Sequence, residues 1–137
     1  MSTQSYIGIL NGNTVDAIYC HYDGQLNYTG QLLKEYYNDT DTVTKLVELG
    51  SISVLGTTIG KKVDFDTYNS APEMMKRYNN GEEMQTVAYH RDRGEPLEIF
   101  KGSIDEYRNL KNEYDFIYLF DNGWKYCTYD MNDFEKF

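Results

Sequence analysis

Histidine, cysteine and proline are scarce in this chain of 137 residues, with two of each, and tryptophan occurs once. Two histidines and two distant cysteines are too few for a zinc site, and the carboxylates lack the spacing of a calcium loop. No glycine motif that could hold a phosphate is present. Cys20 and Cys127, without an apolar leader before them, predict reduced, buried thiols. We therefore expect no metal, no cofactor and no disulfide.

Basic residues are also few, with 13 Lys and Arg against 22 Asp and Glu, so the formal net charge is −9. Phosphate neutralisation needs a basic face, which makes bare DNA or RNA an unlikely ligand. Apolar runs extend over only a few residues, so no membrane-spanning segment is predicted. These observations favour a cytoplasmic protein whose acidic surface attracts cationic partners.

Tyrosine is the abundant residue, accounting for 14 of the 21 aromatic side chains. A tyrosine ring offers a large apolar area with a polar tip, which suits both half-buried strands and contact surfaces. The length fits one domain over residues 1–137 and is sufficient for a hydrophobic core.

A β-hairpin is predicted near each end of the chain, because two β-prone runs flank an Asn-Gly turn signal in both places. The first has strands over 6–10 and 15–21, and the second over 115–120 and 124–129.

Three helices are predicted between the hairpins. Apolar residues at helical spacing, including Leu32, Leu33, Tyr36 and Tyr37, indicate a helix that begins near Tyr28. A second helix is capped by Asp39 or Asp41 and ends at Gly50, and a third runs from Ser103 to about Lys111 with Glu106 completing a capping box.

The middle of the chain is less regular. Residues 51–60 favour a loop or short helical turn, and residues 64–83 a surface excursion. A strand is predicted from Thr86 to Tyr89, with Leu97 to Phe100 as its partner.

Together these elements predict an α+β fold. A mostly antiparallel sheet of four to six strands is built from the two hairpins, with two or three helices packed on one face. The other face is expected to be more exposed to solvent and lined by tyrosines such as Tyr118, Tyr126 and Tyr129. Such a face can serve as a docking surface and can also support a homo-oligomer.

The first candidate site is Cys20-His21-Tyr22-Asp23, where a thiol, an imidazole and a carboxylate occur close together. Residues 20 and 21 project to opposite sides of a strand, so they cannot easily form a nucleophile–base pair. A buried Cys20 beside a polar His21 at the strand end is the favoured interpretation.

The second candidate is the segment Tyr89 to Glu95, which contains two of the four arginines. Arg91 and Arg93 can grip a phosphate or carboxylate while Tyr89 stacks on a base or a partner ring. Alternatively, the arginines pair with Asp92, Glu95 and more distant acids on a solvated loop.

Several segments resemble a group of small bacteriophage and prophage proteins. The similarity covers residues 15–24, 30–37, 43–56, 88–95, 118–120 and 123–124, including the run Ala88-Tyr89-His90-Arg91-Asp92-Arg93-Gly94-Glu95. This resemblance implies a phage setting, and by analogy an anti-CRISPR-like role in counter-defence within the host cytoplasm.

Three functions follow as expectations, none of them enzymatic. In the first, the acidic, tyrosine-rich surface inhibits a host defence protein, for instance by occupying its nucleic-acid groove. In the second, Tyr89, Arg91 and Arg93, with His21 and Asp23 nearby, sequester a nucleotide immune signal. In the third, the protein has a structural role in the virion.

Overall fold

The computed structural model describes residues 3–60 and 85–137. Their strands are β1 (Ser5–Asn11), β2 (Thr14–Cys20), β3 (Ile52–Val54), β4 (Val87–Ala88), β5 (Phe100–Ser103), β6 (Phe116–Phe120), β7 (Trp124–Cys127) and β8 (Glu135–Lys136). Their helices are α1 (Gln31–Tyr36), α2 (Thr40–Glu48), α3 (Tyr89–Arg93) and α4 (Ile104–Asn109), with a π-helical turn at Leu26–Gly30 and a 3₁₀ turn at Leu110–Asn112.

The strands form one sheet in the order β4-β3-β2-β1-β6-β7-β8, and β5 pairs with β2 beside this path. Five of the seven strand pairings are antiparallel, while β1–β6 and β2–β3 are parallel. The predicted α+β fold with a mostly antiparallel sheet is confirmed. The described residues contain eight strands, more than the four to six expected.

Both predicted hairpins are present. In the first, Tyr6 pairs with Tyr19 and Ile7 with Ile18, and in the second, Phe120 pairs with Trp124. Parallel pairing of Ser5 with Phe116 then joins the hairpins at the centre of the sheet.

The predicted helix caps are also confirmed. The Asp39 side chain accepts a hydrogen bond from the Thr42 backbone N–H at 2.8 Å, so Asp39 rather than Asp41 caps α2. Ser103 and Glu106 form a reciprocal capping box at the start of α4. Each cap satisfies backbone donors that a helix N-terminus would otherwise leave unpaired.

Helices cover both faces of the sheet. Two or three helices were expected on a single face, and the structure places two of them, α1 and α2, on one face. They enclose the larger hydrophobic core, which includes Ile7, Ile18, Leu32, Leu33, Leu46, Tyr118 and Trp124. On the other face α4 places Tyr107 over Val15, Ala17, Ile117 and Leu119.

Gly8 allows the close approach of Tyr107. A Cβ atom at Gly8 would lie 2.9 Å from the Tyr107 hydroxyl oxygen, closer than van der Waals contact permits. Tyr107 donates its hydroxyl hydrogen to the Tyr118 carbonyl oxygen, and Phe134 stacks on its ring with centroids 6.0 Å apart. The second face is therefore a packed layer at its centre.

The expectation of a wet face carrying Tyr118 and Tyr126 is wrong. Tyr118 is fully buried and its hydroxyl donates to the Gly24 carbonyl oxygen at 2.6 Å, while Tyr126 is half-buried against the larger core. Tyr129 is 74% exposed but follows the end of β7. Alternation along a strand separates two faces, yet it does not say which face other elements cover.

Two assignments in the middle of the chain are also corrected. Residues 52–54 form the buried strand β3, because its backbone continues the pairing of β2: the His21 N–H donates to the Ile52 carbonyl oxygen at 3.1 Å. The predicted strand 86–89 ends at Ala88, since the Asp92 carboxylate accepts the Ala88 N–H at 2.8 Å and α3 begins at Tyr89. Its partner is β3, whereas β5 pairs with β2. The predicted excursion over 64–83 lies outside the described residues.

Candidate functional site

The structure separates Cys20 from His21, as the strand geometry predicts. Cys20 is fully buried in the larger core, and burial raises the pKa of its thiol to about 12. His21 projects to the other face, where its Nδ1 atom lies 2.6 Å from the Tyr19 hydroxyl oxygen. Asp23 follows in a turn with φ of 55°, and its carbonyl oxygen accepts the Thr29 hydroxyl hydrogen at 2.7 Å. A buried, protonated thiol without an adjacent base is a poor nucleophile.

Arg91 is directed into its own protein. Its guanidinium donates to the Ile59 carbonyl oxygen at 2.7 Å and to the Thr86 carbonyl oxygen at 2.6 Å. It also forms an ion pair with Asp92, with 2.9 Å between Nε and Oδ1. The Arg91 side chain is only 17% exposed and that of Asp92 is fully buried. Arg91 therefore holds the chain around residues 59 and 86 together.

Arg93 has a different environment, with 58% of its side chain exposed and its Nε atom 3.4 Å from a Glu95 carboxylate oxygen. His90 is exposed, and its Nδ1 atom lies 2.7 Å from the Glu95 carbonyl oxygen. Because Arg91 and Arg93 engage different partners, the structure does not assemble them into the two-arginine fork considered from the sequence.

A surface groove that no sequence motif indicates lies beside this segment. Its main cavity has a volume of about 640 Å³. The lining residues combine aromatic and aliphatic side chains with one carboxylate, and they are Gln4, Tyr6, Tyr19, Ser51, Leu97, Glu98, Ile99, Phe100 and Tyr114.

A smaller cavity of about 220 Å³ extends the groove toward α3. It shares Tyr19, Ser51 and Glu98 with the main cavity and adds Tyr89, Glu95 and Pro96. We call the two cavities together the tyrosine groove. Within residues 3–60 and 85–137, its lining contains four tyrosines and two carboxylates but no basic side chain.

Three of the rings contact one another. Tyr114 lies with its ring centroid 4.9 Å from that of Tyr6 and 5.7 Å from that of Tyr19, and the Tyr6–Tyr19 distance is 5.8 Å. The interplanar angles lie between 57° and 67°, which are tilted or edge-to-face arrangements favoured by aromatic quadrupoles. The three tyrosines thus support one another as a cluster.

The hydroxyls of Tyr6, Tyr19 and Tyr89 stay protonated near neutral pH. Burial, the neighbouring tyrosines and Glu98 raise the pKa of Tyr6, and burial together with Tyr89 and Tyr114 raises that of Tyr19 to about 12. Burial is also the main cause of the raised pKa of Tyr89, to which Glu95 contributes. The negative charge of the lining consequently comes from Glu95 and Glu98.

The strand arrangement explains why an open groove exists there. The outer edge of β2 pairs with β5 along residues 14–17 and with β3 only at Cys20, so the sheet divides beside Tyr19. Residues 94–99 run alongside this gap between β5 and β3. The Ser51 N–H holds them there by donating to the Glu98 carbonyl oxygen at 3.1 Å.

Gly50 makes that anchor possible. It adopts φ of 76° after α2, and a Cβ atom there would lie 2.6 Å from Leu97 and 3.2 Å from the Glu98 carbonyl oxygen. The predicted helix-stop glycine is therefore confirmed, and it also lets the segment carrying Glu98 pack closely.

A second cavity, also of about 640 Å³, shares Tyr114 with the lining of the tyrosine groove. It is lined by Glu113, Asp115, Asp130 and Tyr129, among others, and Lys111 is the one basic residue among the described residues of its lining. The Lys111 ammonium group donates to the Met131 carbonyl oxygen. Tyrosine and carboxylate side chains thus continue past the tyrosine groove.

Part of this site was accessible from the sequence. The hairpin register places Tyr6 opposite Tyr19 on one face, and that pairing follows from the turn signal. Tyr114, Glu98 and Tyr89 join them through contacts distant in sequence, for which no local signal exists.

In residues 3–60 and 85–137 there is no group of three or more His, Cys, Asp or Glu side chains suited to hold a metal ion. None of the helices over those residues has both the length and the apolarity needed to cross a bilayer.

The chain was compared with protein-family models, with curated proteins and with solved structures. None of the three comparisons found a match. The resemblance to phage proteins therefore stays a prediction, and the tyrosine groove is the feature from which a function can be inferred.

Proposed function

We propose that this protein acts by binding, as a phage-encoded counter-defence inhibitor that occupies a basic surface of a host defence protein in the host cytoplasm. The tyrosine groove is the observation that supports this proposal. Its described lining offers tyrosine rings and two carboxylates, of which Glu95 is ion-paired with Arg93, to whatever docks there.

Charge supports a basic partner. The net charge of −9 attracts a cationic surface over a distance of about one Debye length, roughly 8–10 Å at physiological salt. At contact, Glu95 and Glu98 line the groove, and Glu113, Asp115 and Asp130 line the neighbouring cavity. Such a surface competes with nucleic acid for a basic groove on the partner.

The tyrosines of the groove favour a protein as the partner. Tyrosine is enriched at protein interfaces because its ring buries a large area at a small entropic cost while its hydroxyl keeps hydrogen bonding. The four tyrosines of the groove are partly buried by their neighbours, so they are held in place before a partner arrives.

The nucleotide alternative is less well supported. Phosphates would meet Glu95 and Glu98 in the groove, and the guanidinium of Arg91 already donates to Ile59, Thr86 and Asp92. An anion placed there would be repelled by both carboxylates, and Arg93, the exposed arginine of this segment, is already ion-paired with Glu95.

The proposal is tested by capture from lysates of bacteria that carry defined defence systems. Tagged wild-type protein is compared with the double variant Glu95→Gln/Glu98→Gln. The matched control, Glu35→Gln/Glu135→Gln, removes the same charge from exposed residues outside the groove.

We expect the wild type and the control to capture the same host protein and to displace nucleic acid from the purified partner. The groove variant should do so at least about tenfold less well, and capture should weaken as salt rises from about 50 to 200 mM. Equal capture by all three proteins, or a captured protein whose activity is unaffected, would refute the proposal.

A further inference from the structure

We propose that the tyrosine groove is an arginine-binding site, which takes an arginine side chain from a protein partner. This inference depends on the proposed function only in that a basic partner supplies the arginine. The site itself is defined by Tyr6, Tyr19, Tyr114, Glu98 and Glu95.

The rings provide the surface on which a guanidinium can lie. A planar cation stacks on aromatic faces, and the attraction is significant within about 6 Å of a ring centroid. Tyr6, Tyr19 and Tyr114 have centroids 4.9 to 5.8 Å apart, so a cation seated on this cluster comes close to more than one ring. Because the pKa values of Tyr6 and Tyr19 are raised, these rings stay neutral.

The carboxylates provide the counter-charge. Glu98 lines both cavities, and its charge contributes to the raised pKa of Tyr6, so it lies near enough to the ring cluster to act on a cation there. Glu95 lines the smaller cavity toward α3, but its carboxylate already lies 3.4 Å from the Arg93 Nε atom, so Glu98 is the main counter-charge. A guanidinium can donate two parallel hydrogen bonds to one carboxylate, which fixes its orientation.

The dimensions favour an arginine carried by a polypeptide. A volume of about 640 Å³ exceeds what one guanidinium needs and leaves room for the aliphatic stem and adjacent backbone. Leu97, Ile99 and Phe100 supply apolar lining for that stem. Leu97 is 50% exposed, so a bound segment would cover one of the more exposed aliphatic side chains among the described residues.

Arginine is preferred to lysine on chemical grounds. Its guanidinium is delocalised, less strongly hydrated than an ammonium group, and able to stack and to pair with a carboxylate at once. Lysine can satisfy the charge but loses both the stacking and the bidentate geometry.

The test uses small probes, so it does not require the partner. Isotope-labelled protein is titrated with N-acetyl-arginine methylamide, and amide shifts are followed by NMR. The lysine analogue and the neutral citrulline analogue serve as ligand controls. Glu98→Gln is the site variant and Glu135→Gln, at the opposite edge of the sheet, is its matched control.

We expect saturable shifts around Tyr19, Glu98 and Tyr114 with the arginine probe. The lysine probe should bind about threefold or more weakly, and citrulline about tenfold or more weakly. Glu98→Gln should raise the Kd by about fivefold, whereas Glu135→Gln should change it by less than about twofold.

Shifts that do not saturate, or equal binding of the arginine and citrulline probes, would overturn the inference. If capture of a host protein depends on Glu95 and Glu98 while the arginine probe does not bind, the proposed function is supported and the arginine site is refuted. If the arginine probe binds and no host protein is captured, the arginine site is supported and the proposed function is refuted.

Discussion

Arg91 and Asp92 are neighbours in the sequence and form an ion pair, with 2.9 Å between Nε and Oδ1. The Asp92 carboxylate also accepts the Ala88 N–H at 2.8 Å, and Arg91 donates to two carbonyl oxygens outside α3. The pair therefore joins the start of α3 to the chain at residues 59 and 86. The segment Tyr89 to Glu95, which suggests a binding loop in the sequence, thus stabilises the fold through this ion pair.

Arg91→Ala should therefore lower the free energy of unfolding by about 3 kcal/mol, because it leaves the buried Asp92 carboxylate uncompensated. Arg93→Ala is the matched control, and since Arg93 is 58% exposed, its loss should cost less than about 1 kcal/mol. Urea denaturation of both variants measures these values. Equal losses of unfolding free energy in the two variants would show that the Arg91–Asp92 ion pair contributes no more than an exposed arginine.

Local signals account for what could be predicted from the sequence. Asn11-Gly12 specified a hairpin, and Ser103 with Glu106 specified a helix start, because these motifs act within a few residues. Strand β3 carried no such signal, since its pairing with Cys20 depends on a residue more than 30 positions away. The burial of Arg91 likewise depends on Ile59 and Thr86, which no spacing rule relates to it.

Gly8→Ala should destabilise the protein by about 1–3 kcal/mol, because the new methyl group would overlap the Tyr107 ring and Val15. Thermal unfolding measures the loss as a lower Tm. Gly12→Ala provides a comparison in which backbone strain acts alone, since Gly12 has φ of 62° and its Cβ would meet nothing within 4 Å. An unchanged Tm for Gly8→Ala would mean that Tyr107 moves aside without cost.

Stability should fall at alkaline pH. Burial raises the pKa of the Cys20 thiol and of the Tyr37 hydroxyl to about 12 in the folded state, from ordinary values of 9.0 and 10.0. Groups with a raised folded pKa contribute their full stability below the unfolded pKa and lose it as pH rises toward the folded pKa. Each should thus cost about 1–3 kcal/mol by pH 11, measured by urea denaturation between pH 8 and 11.

Tyr37→Phe is the control for that pH dependence. It removes one titrating group together with the hydrogen bond from the Tyr37 hydroxyl to the Gly56 carbonyl oxygen, 2.8 Å long. The variant should be less stable at pH 8 but should lose less stability between pH 10 and 11 than the wild type. An identical slope would contradict the contribution of Tyr37.

The Cys20 thiol should resist alkylation in the folded protein, because it is fully buried and protonated at neutral pH. In a Cys127→Ser background, where Cys20 is the only thiol, iodoacetamide at pH 8 should react at least about 100-fold more slowly than in urea. Mass spectrometry follows the modification. Rapid alkylation of Cys20 in the folded protein would contradict its burial and would indicate a reactive thiol.

Tyr114 is the residue at which the tyrosine groove meets the second cavity, and it contacts both Tyr6 and Tyr19. Tyr114→Ala should weaken binding of the arginine probe by about fivefold or more, because it removes one ring face and the support of two others. Tyr114→Phe keeps the ring, so its affinity should stay within about twofold of the wild type. Tyr36→Ala, at a 47% exposed tyrosine on α1, should change nothing. If Tyr114→Phe lost as much affinity as Tyr114→Ala, the hydroxyl rather than the aromatic face would hold the cation, and the stacking geometry would have to be abandoned.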